Sequence, residues 1–362
     1  MMINQLLDLA IQIQQIPAPT FDEAARGKFV MELFSREALS DVQADSAGNI
    51  LGRLPGSGSK PPLVVSAHLD TVFPVETDLA IRRESGRVYG PGLGDNSTGV
   101  AGLFGLLWSL RAQKVALPGD VWLVANTSEE GLGDLHGMKA VVDQFGADPQ
   151  LYLVLEGMAL GHVYHKAIGV CRYRISAHTG GGHSWIDFGR PSAIHELSSL
   201  VTKIAALKLP AQPRTTLNVG RMGGGTSINT IAAEAWLELD LRSESAQALA
   251  GLIHQVETLV KAANTSNLRF DLEVIGRRPA GEIPIDHRFI RLAQGCLVEQ
   301  GIQPNLTVGS TDANIPLSKG YPALVLGLTN GSGAHTLEEF IETAPLERGL
   351  AQLVNFVKQV WQ

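Results

Sequence analysis

The sequence is poor in cysteine, in positive charge and in long apolar runs, and each shortage excludes a class of protein. Cys171 and Cys296 are the only cysteines among 362 residues, which excludes a disulfide scaffold and a cysteine-rich zinc module. With 29 basic and 36 acidic residues, the formal net charge is −7, so general nucleic-acid binding is not expected. The longest dense apolar stretch, residues 100–110, is about half of the ~20 residues that a membrane span requires.

The beginning of the chain predicts a helix rather than a targeting segment. It has no basic region and carries Asp8 within its apolar part, so a signal peptide is not expected. Its apolar spacing predicts an amphipathic helix that ends before Pro17. We therefore expect a cytoplasmic protein with reduced thiols and no membrane association.

Length and patterning together predict two domains. A single core rarely grows beyond about 250–300 residues. Near-continuous apolar runs, typical of buried parallel strands, alternate with helix-length segments in the outer parts of the chain. These runs are residues 62–68, 121–127, 151–157 and 322–328, with helices expected at 97–113, 134–145 and 345–361. We expect a three-layer α/β catalytic domain with a mostly parallel sheet, formed by residues 1–168 and 283–362.

The middle of the chain has a different pattern. Residues 234–242 and 268–275 alternate apolar and polar side chains, which is typical of half-exposed antiparallel strands. Helices are expected at 192–207 and 246–263 among them. Residues 169–282 are therefore predicted to form a smaller inserted α+β domain with an antiparallel sheet and two helices.

Ionisable residues follow the predicted α/β strands at their carboxyl ends, where open α/β sheets bind ligands. Each alone has an ordinary structural explanation, such as a core histidine, a helix cap or a solvated acid pair. Two imidazoles and several carboxylates at one edge are electrostatically costly without cations, and this mix of ligands suits zinc, manganese or cobalt. The residues are His68, Asp70, Asp95, Glu129, Glu130, Glu156 and His335.

The ordered motifs HLD, GD, SEEG, LEG and AHT resemble those of the co-catalytic zinc exopeptidases and deacylases. This family includes glutamate carboxypeptidase, acetylornithine deacetylase, succinyl-diaminopimelate desuccinylase and peptidase T. The resemblance covers nearly the whole chain, including the inserted domain. It implies two divalent ions per chain, most simply zinc, with cobalt or manganese as alternatives.

The resemblance also implies a role for each residue of the motifs. One ion would be held by His68, Asp95 and Glu156, and the other by Asp95, Glu130 and His335. Asp95 would bridge the two ions, Asp70 would orient His68, and Glu129 would be the general base.

The inserted domain resembles the family in two further motifs. His183 in TGGGHSW matches a histidine that completes the site of a partner subunit, and His178 is the nearby alternative. Asn229 and Arg242 match residues that hold a substrate carboxylate, and the arginine fork suits that role. The resemblance thus implies a homodimer that cleaves a small peptide or an N-acyl amino acid.

The type of substrate remains open between two alternatives. Glu156 favours a carboxypeptidase or deacylase, whereas the stretch DNSTGVAG is similar to zinc aminopeptidases and favours a di- or tripeptide aminopeptidase. Nucleotide-binding, serine hydrolase and single-zinc protease motifs do not fit the chain. A non-catalytic binding protein on this fold is the alternative from another class, but we favour a hydrolase because no ligand and no base is missing.

Overall fold

The computed structural model describes residues 2–362, which divide into two compact units. The first unit comprises the chain up to Ala167 and from Glu282 to Gln362, and the second comprises Ile168–Gly281. Each unit has its own core of buried apolar side chains. Among the described residues, no helix combines the length and the apolar character that crossing a bilayer requires.

The helices of the first unit include the one predicted at the start of the chain. The helices of the two units are α1 (Met2–Gln14), α2 (Ala24–Arg36), α3 (Thr98–Ala112), α4 (His136–Phe145), α5 (Ala193–Ala205), α6 (Ala246–Ala263), α7 (Arg288–Glu299), α8 (Asn314–Ser318) and α9 (Leu346–Gln359). In the first unit, α1 packs against α3, and α3 packs against α9 and the central strands. Of these, α5 and α6 belong to the second unit.

A nine-stranded mixed sheet forms the centre of the first unit. Its strands are β1 (Ser40–Ala44), β2 (Ile50–Leu54), β3 (Leu63–His68), β6 (Val121–Asn126), β7 (Leu151–Glu156), β8 (His162–Ala167), β15 (Gly281–Glu282), β16 (Asn305–Gly309) and β17 (Ala323–Gly327). Their order in the sheet is β1-β2-β6-β3-β7-β17-β8-β15, with β16 beside β8.

The four apolar runs of the sequence form four adjacent parallel strands. β3 pairs in parallel with β6 and β7, and β7 pairs in parallel with β17. The register places His68 opposite Asn126 and Glu156 opposite Gly327. Because parallel strands end on the same side, these residues share one edge of the sheet. The prediction of an α/β fold with a mostly parallel sheet is confirmed.

A small antiparallel sheet in the first unit connects two loops of the site. It consists of β4 (Arg82–Glu84), β5 (Arg87–Tyr89), β18 (Gly331–Ser332) and β19 (Phe340–Glu342), in the order β18-β19-β5-β4. β5 leads into a short π-helical turn, Leu93–Ser97, that precedes α3.

The second unit is the predicted antiparallel sheet with two helices. Its four long strands are β9 (Gly169–Thr179), β11 (Thr215–Gly224), β13 (Glu234–Ser243) and β14 (Leu268–Arg278), accompanied by the short pair β10 (Gly182–His183) and β12 (Thr230–Ile231). The long strands lie in the order β11-β13-β9-β14. Alternate residues of β13 are buried, which is the half-exposed pattern expected from the sequence.

Candidate metal centre

His68 and Glu156 reach one point from neighbouring parallel strands. His68 is the last residue of β3, and Glu156 is the last residue of β7. The Nε2 atom of His68 lies 3.9 Å from Oε2 of Glu156, and the His68 side chain is 1% exposed. An imidazole and a carboxylate therefore meet at the edge where open α/β sheets bind ligands.

Asp95 lies between two histidines. It belongs to the turn before α3, and its peptide bond to Asn96 is cis. Its Oδ1 atom is 3.1 Å from Nε2 of His68, and its Oδ2 atom is 3.2 Å from Nε2 of His335. The carboxylate thus presents one oxygen to each imidazole, as a bridging ligand does.

Glu130 extends the cluster on the side of His335. Its Oε1 atom is 3.0 Å from Nε2 of His335. Three overlapping groups have one nitrogen or oxygen atom per residue, all within 4.8 Å of one another. They are His68, Asp95 and Glu156; Asp95, Glu130 and His335; and His68, Glu129 and Glu130. The seven residues singled out at the strand ends are brought together, with Asp70 directly behind His68.

Asp70 fixes the segment that carries the two glutamates. Its Oδ1 accepts the N–H of Glu129 and its Oδ2 accepts the N–H of Glu130, both at 2.9 Å. Oδ2 also accepts the hydroxyl of Thr20 at 2.9 Å. Nδ1 of His68 is 3.0 Å from the main-chain oxygen of Asp70 but 3.5 Å from its carboxylate. Asp70 therefore orients His68 chiefly through its own carbonyl group.

Asn96 attaches the Asp95 turn to the end of β7. Its Oδ1 accepts the N–H groups of Gly99 and Gly157, at 3.1 and 3.0 Å. Its Nδ2 donates to the carbonyl oxygen of Leu155 at 2.8 Å. All these groups are buried, so the amide holds the turn against the strand that ends in the ligand cluster.

The surrounding carboxylates favour the cationic forms of both histidines. Burial lowers the pKa of His68, but Asp70 and Asp95 outweigh that effect, and the pKa lies well above its ordinary value. Hydrogen bonds to Asp95 and Glu130 raise the pKa of His335 to about 10. The cluster therefore attracts positive charge.

The pKa values of two acids of the cluster, Asp95 and Glu156, are shifted in opposite directions. Burial raises the pKa of Asp95, but its bonds to His335 and His68 bring the pKa below its ordinary value. Burial, reinforced by the charges of neighbouring acids, raises the pKa of Glu156 well above its ordinary value. An acid that resists ionisation next to one that ionises readily indicates an excess of carboxylates, which bound cations relieve.

His183 and Asn229 lie on adjacent loops of the second unit. β10 pairs with β12, which places His183 opposite Thr230. The N–H of Ser184 donates to the carbonyl oxygen of Asn229 at 3.0 Å. Both predicted residues are exposed. The structure therefore brings the two predicted residues of these loops close together.

His178, the alternative to His183, has partners within its own sheet. Its Nε2 lies 3.3 Å from the carboxylate of Asp271, and its Nδ1 lies 3.6 Å from that of Glu234. These contacts give His178 a structural role on β9 and leave His183 as the better candidate for a substrate-facing histidine.

Arg242 lies toward the other end of β13 from Asn229. Its Nε donates to the Asp240 carboxylate at 2.6 Å, and its side chain is 43% exposed. Glu234 begins β13, so Arg242 follows it by eight residues (242 − 234). At ~3.3 Å per residue, these eight residues span about 26 Å. Because Asn229 lies in the loop that enters β13 at Glu234, one chain is not expected to bring Asn229 and Arg242 to the same carboxylate.

Two imidazoles and four carboxylates at the edge of an α/β sheet are typical of a metal-dependent hydrolase. Residues 64–359 match peptidase family M20/M25/M40. The chain belongs to this family, and it is a metallopeptidase or amidohydrolase.

Relatives of known name and structure agree with this assignment. Succinyl-diaminopimelate desuccinylase of Corynebacterium glutamicum is 27% identical over 259 residues, which cover 69% of this chain and 70% of that protein. The crystal structure of a tripeptidase from Staphylococcus aureus has a TM-score of 0.85 at 22% identity, covering 99% of this chain and 98% of that one. A dinuclear metal binding peptidase of Bacillus subtilis has a TM-score of 0.72 at 14% identity, covering 99% and 98%. The resemblance to the co-catalytic zinc exopeptidases and deacylases, which the sequence motifs indicated, is confirmed.

Sequence reasoning did not find the residues that support the cluster from behind. Thr20 acts through one hydrogen bond and Asn96 through three, and Glu339 accepts backbone N–H groups of the Asp95 turn. The sequence shows only that an acid, Glu339, follows His335 by four residues. Its complete burial in an otherwise exposed loop is visible in the structure alone.

Proposed function

We propose that this enzyme hydrolyses an amide bond in a small peptide or an N-acyl amino acid, using two divalent ions, with zinc favoured. The observation that carries the proposal is the position of Asp95, with one oxygen toward His68 and the other toward His335. Nitrogen and oxygen ligands suit zinc, and cobalt or manganese are the alternatives. The dinuclear centre named for the Bacillus subtilis relative supports the number of ions.

The ligands divide into two sets that share Asp95. The donor atoms within each set lie within 4.8 Å of one another, and each set contains one imidazole and two carboxylates. The sets are His68, Asp95 and Glu156 for one ion, and Asp95, Glu130 and His335 for the other. When bound, two such ions lower the pKa of a water molecule and polarise the substrate carbonyl.

Glu129 is proposed as the general base. Its side chain takes a proton from the attacking water and then delivers that proton to the leaving nitrogen. Support comes from its place in the cluster, because one of its carboxylate oxygens lies within 4.8 Å of ligand atoms of His68 and Glu130. Its backbone is held by Asp70, which keeps the side chain in position.

Arg242 and Asn229 are proposed to bind the substrate carboxylate, but from different subunits. A guanidinium group suits a carboxylate because it donates two parallel hydrogen bonds. The length of β13 separates the two residues within one chain, as described above. A homodimer in which each site receives Arg242 from one subunit and Asn229 from the other removes this conflict.

The exposed apolar side chains near His183 support the same dimer. Trp185 is 86% exposed, Phe188 is 90% exposed, and Ile228 is fully exposed in the adjoining loop. Apolar groups of this size gathered on two neighbouring loops are typical of an interface. We propose that a second copy of the chain covers them and that His183 of the partner subunit donates a hydrogen bond to the oxyanion formed at the substrate carbonyl.

A substrate panel tests the proposed reaction. N-acyl amino acids, dipeptides and tripeptides are assayed with free and blocked termini, after loading with zinc, cobalt or manganese. We expect turnover that requires metal and a free substrate carboxylate. Arg242→Ala is expected to abolish the difference between free and amidated substrates, because a charge-assisted hydrogen bond contributes about 1.5–3 kcal/mol. Loss of turnover on blocking the amino terminus instead identifies an aminopeptidase, and no metal uptake at excess zinc refutes the mechanism.

Complementation tests the shared site. His183→Ala and Glu129→Gln homodimers are each expected to be nearly inactive. After subunit exchange, a mixed dimer contains one site with both defects and one with neither, so random pairing restores about a quarter of the sites. If mass measurement shows exchange and activity does not return, His183 acts within its own chain or not at all.

A further inference from the structure

We propose that Glu339 is a positioning residue, which holds the Asp95 turn against the His335 loop so that the bridging carboxylate is in place before metal binds. The proposal rests on the two-ion function proposed above. Glu339 does not face the ligand atoms itself, and its contacts are with backbone. It lies immediately before β19 and is 0% exposed.

The side chain of Glu339 receives three backbone N–H groups from one turn. Oε1 accepts from Gly94 at 2.7 Å and from Asp95 at 2.9 Å, and Oε2 accepts from Gly92 at 3.1 Å. Converging amides of this kind form a nest for an anion. Here a carboxyl group of the protein occupies the nest, and one of the three donors is the amide of the bridging residue itself.

The backbone of Glu339 joins the same turn to the loop of His335. Its carbonyl oxygen accepts the N–H of Gly90 at 2.9 Å, which continues the pairing of β19 with β5. Its N–H donates to the carbonyl oxygen of Thr336, the residue after His335, at 3.2 Å. A single residue therefore sets the spacing between the segments that supply Asp95 and His335.

Two glycines allow the turn to close around the carboxylate. Gly92 has a φ of +72°, which a residue with a side chain rarely adopts. A Cβ atom at Gly94 would lie 2.4 Å from Sδ of Met158. The turn thus has the backbone conformation that a nest requires, and a side chain at Gly94 would fit only if Met158 moved.

Removing one acceptor oxygen of Glu339 is expected to loosen Asp95 rather than remove a ligand. In Glu339→Gln, the amide nitrogen takes the place of one oxygen and faces a buried N–H donor. All metal ligands remain, so both ions still bind at saturation. The affinity for zinc is expected to fall about 10–100-fold, which is typical when a supporting contact of a metal ligand is lost.

The experiment compares metal affinity with folding stability in the full-length protein. Zinc and cobalt binding are measured by calorimetric titration, and thermal midpoints are measured without metal. Ile341→Val is the matched control, because Ile341 lies in β19 two residues after Glu339, is 0% exposed and has an apolar side chain that makes no hydrogen bond. Glu338→Gln controls for charge, since the exposed Glu338 pairs with Arg82 at 2.9 Å. Glu339→Asp, which keeps both oxygens but shortens the side chain, is the second variant if Glu339→Gln does not fold.

We expect the metal affinity of Glu339→Gln to fall by more than the decrease in its thermal midpoint accounts for. Both control variants are expected to bind metal with the affinity of the wild type. An affinity equal to that of wild type, or an equal loss in Ile341→Val at the same thermal midpoint, overturns the role of Glu339. Wild-type protein that binds neither zinc nor cobalt overturns the proposed function itself, so the two failures are distinguishable.

Discussion

Replacing Asp70 by asparagine tests how the site holds its two glutamates. The Asp70 carboxylate accepts three hydrogen bonds of 2.9 Å, from the N–H groups of Glu129 and Glu130 and from the hydroxyl of Thr20. Asparagine offers one acceptor oxygen, and its amide nitrogen only donates. We expect the asparagine oxygen to take the position of Oδ2, where it accepts from the N–H of Glu130 and the hydroxyl of Thr20. The amide nitrogen then takes the position of Oδ1 and faces the N–H of Glu129, which loses its acceptor.

The structure sets the size of the effect. Asp70 is 0% exposed, so water does not replace the lost acceptor. A buried donor without a partner costs about 1–3 kcal/mol, and we expect the free energy of unfolding to fall by about 2 kcal/mol. Displacing Glu129 by about 1 Å is expected to lower kcat about 10²-fold. Zinc affinity is expected to fall only ~10-fold, because the main-chain oxygen that contacts His68 at 3.0 Å is retained.

Urea denaturation, steady-state kinetics and zinc titration measure the three quantities. Thr20→Val is the matched control, since it removes one donor to Asp70 and leaves the bond to Glu129 intact. We expect the control to keep most of kcat. If Asp70→Asn and Thr20→Val behave alike in all three measurements, the anchoring of Glu129 by Asp70 has no catalytic consequence and the reasoning is refuted.

Three further predictions follow from the site and the core. Glu129→Gln is expected to keep both ions and lose kcat about 10²–10⁴-fold, whereas Glu130→Gln loses one ion; equal metal content and equal activity would contradict these roles. The pKa of His335 is raised to about 10 without metal, so its contribution to the stability of the metal-free protein is complete below about pH 6.5 and declines toward pH 10. Zinc binding at pH 7 should therefore release a proton, which calorimetry in two buffers detects or excludes. Burial raises the pKa of Cys296 to about 12, so a thiol reagent at pH 8 should find this thiol only after unfolding.

The fold could be predicted where burial is one-sided or complete. β3, β6, β7 and β17 are buried almost throughout, and their sequences are correspondingly continuous in apolar residues. The hairpin of β1 and β2 was not predicted. β1 reads Ser-Asp-Val-Gln-Ala and is largely exposed at the edge of the sheet, so its pairing is determined by a neighbour that local sequence does not describe.

The candidate site could be predicted where side chains meet and not where a side chain meets backbone. His68 and Glu156 end adjacent parallel strands, so their proximity follows from topology. The contacts of Glu339 with the Asp95 turn involve amide groups that every residue except proline possesses. Such contacts do not produce a recognisable sequence motif, because any residue except proline can supply the N–H donor.

The acids around the ligand cluster therefore divide into two functional groups. One group presents oxygens to the cluster, and the other holds the loops that carry the first group. Glu23 belongs to the second group, because its Oε1 accepts the N–H of Ser128 at 3.0 Å, directly before Glu129. Asp70 and Glu339 do the same for the neighbouring segments. Since these contacts use backbone N–H groups and no cation, the loops are held by the folded chain itself. A chelator should then remove activity without unfolding the protein. If the protein instead unfolds at 25 °C as the metal is removed, the ions, rather than these carboxylates, hold the loops in place.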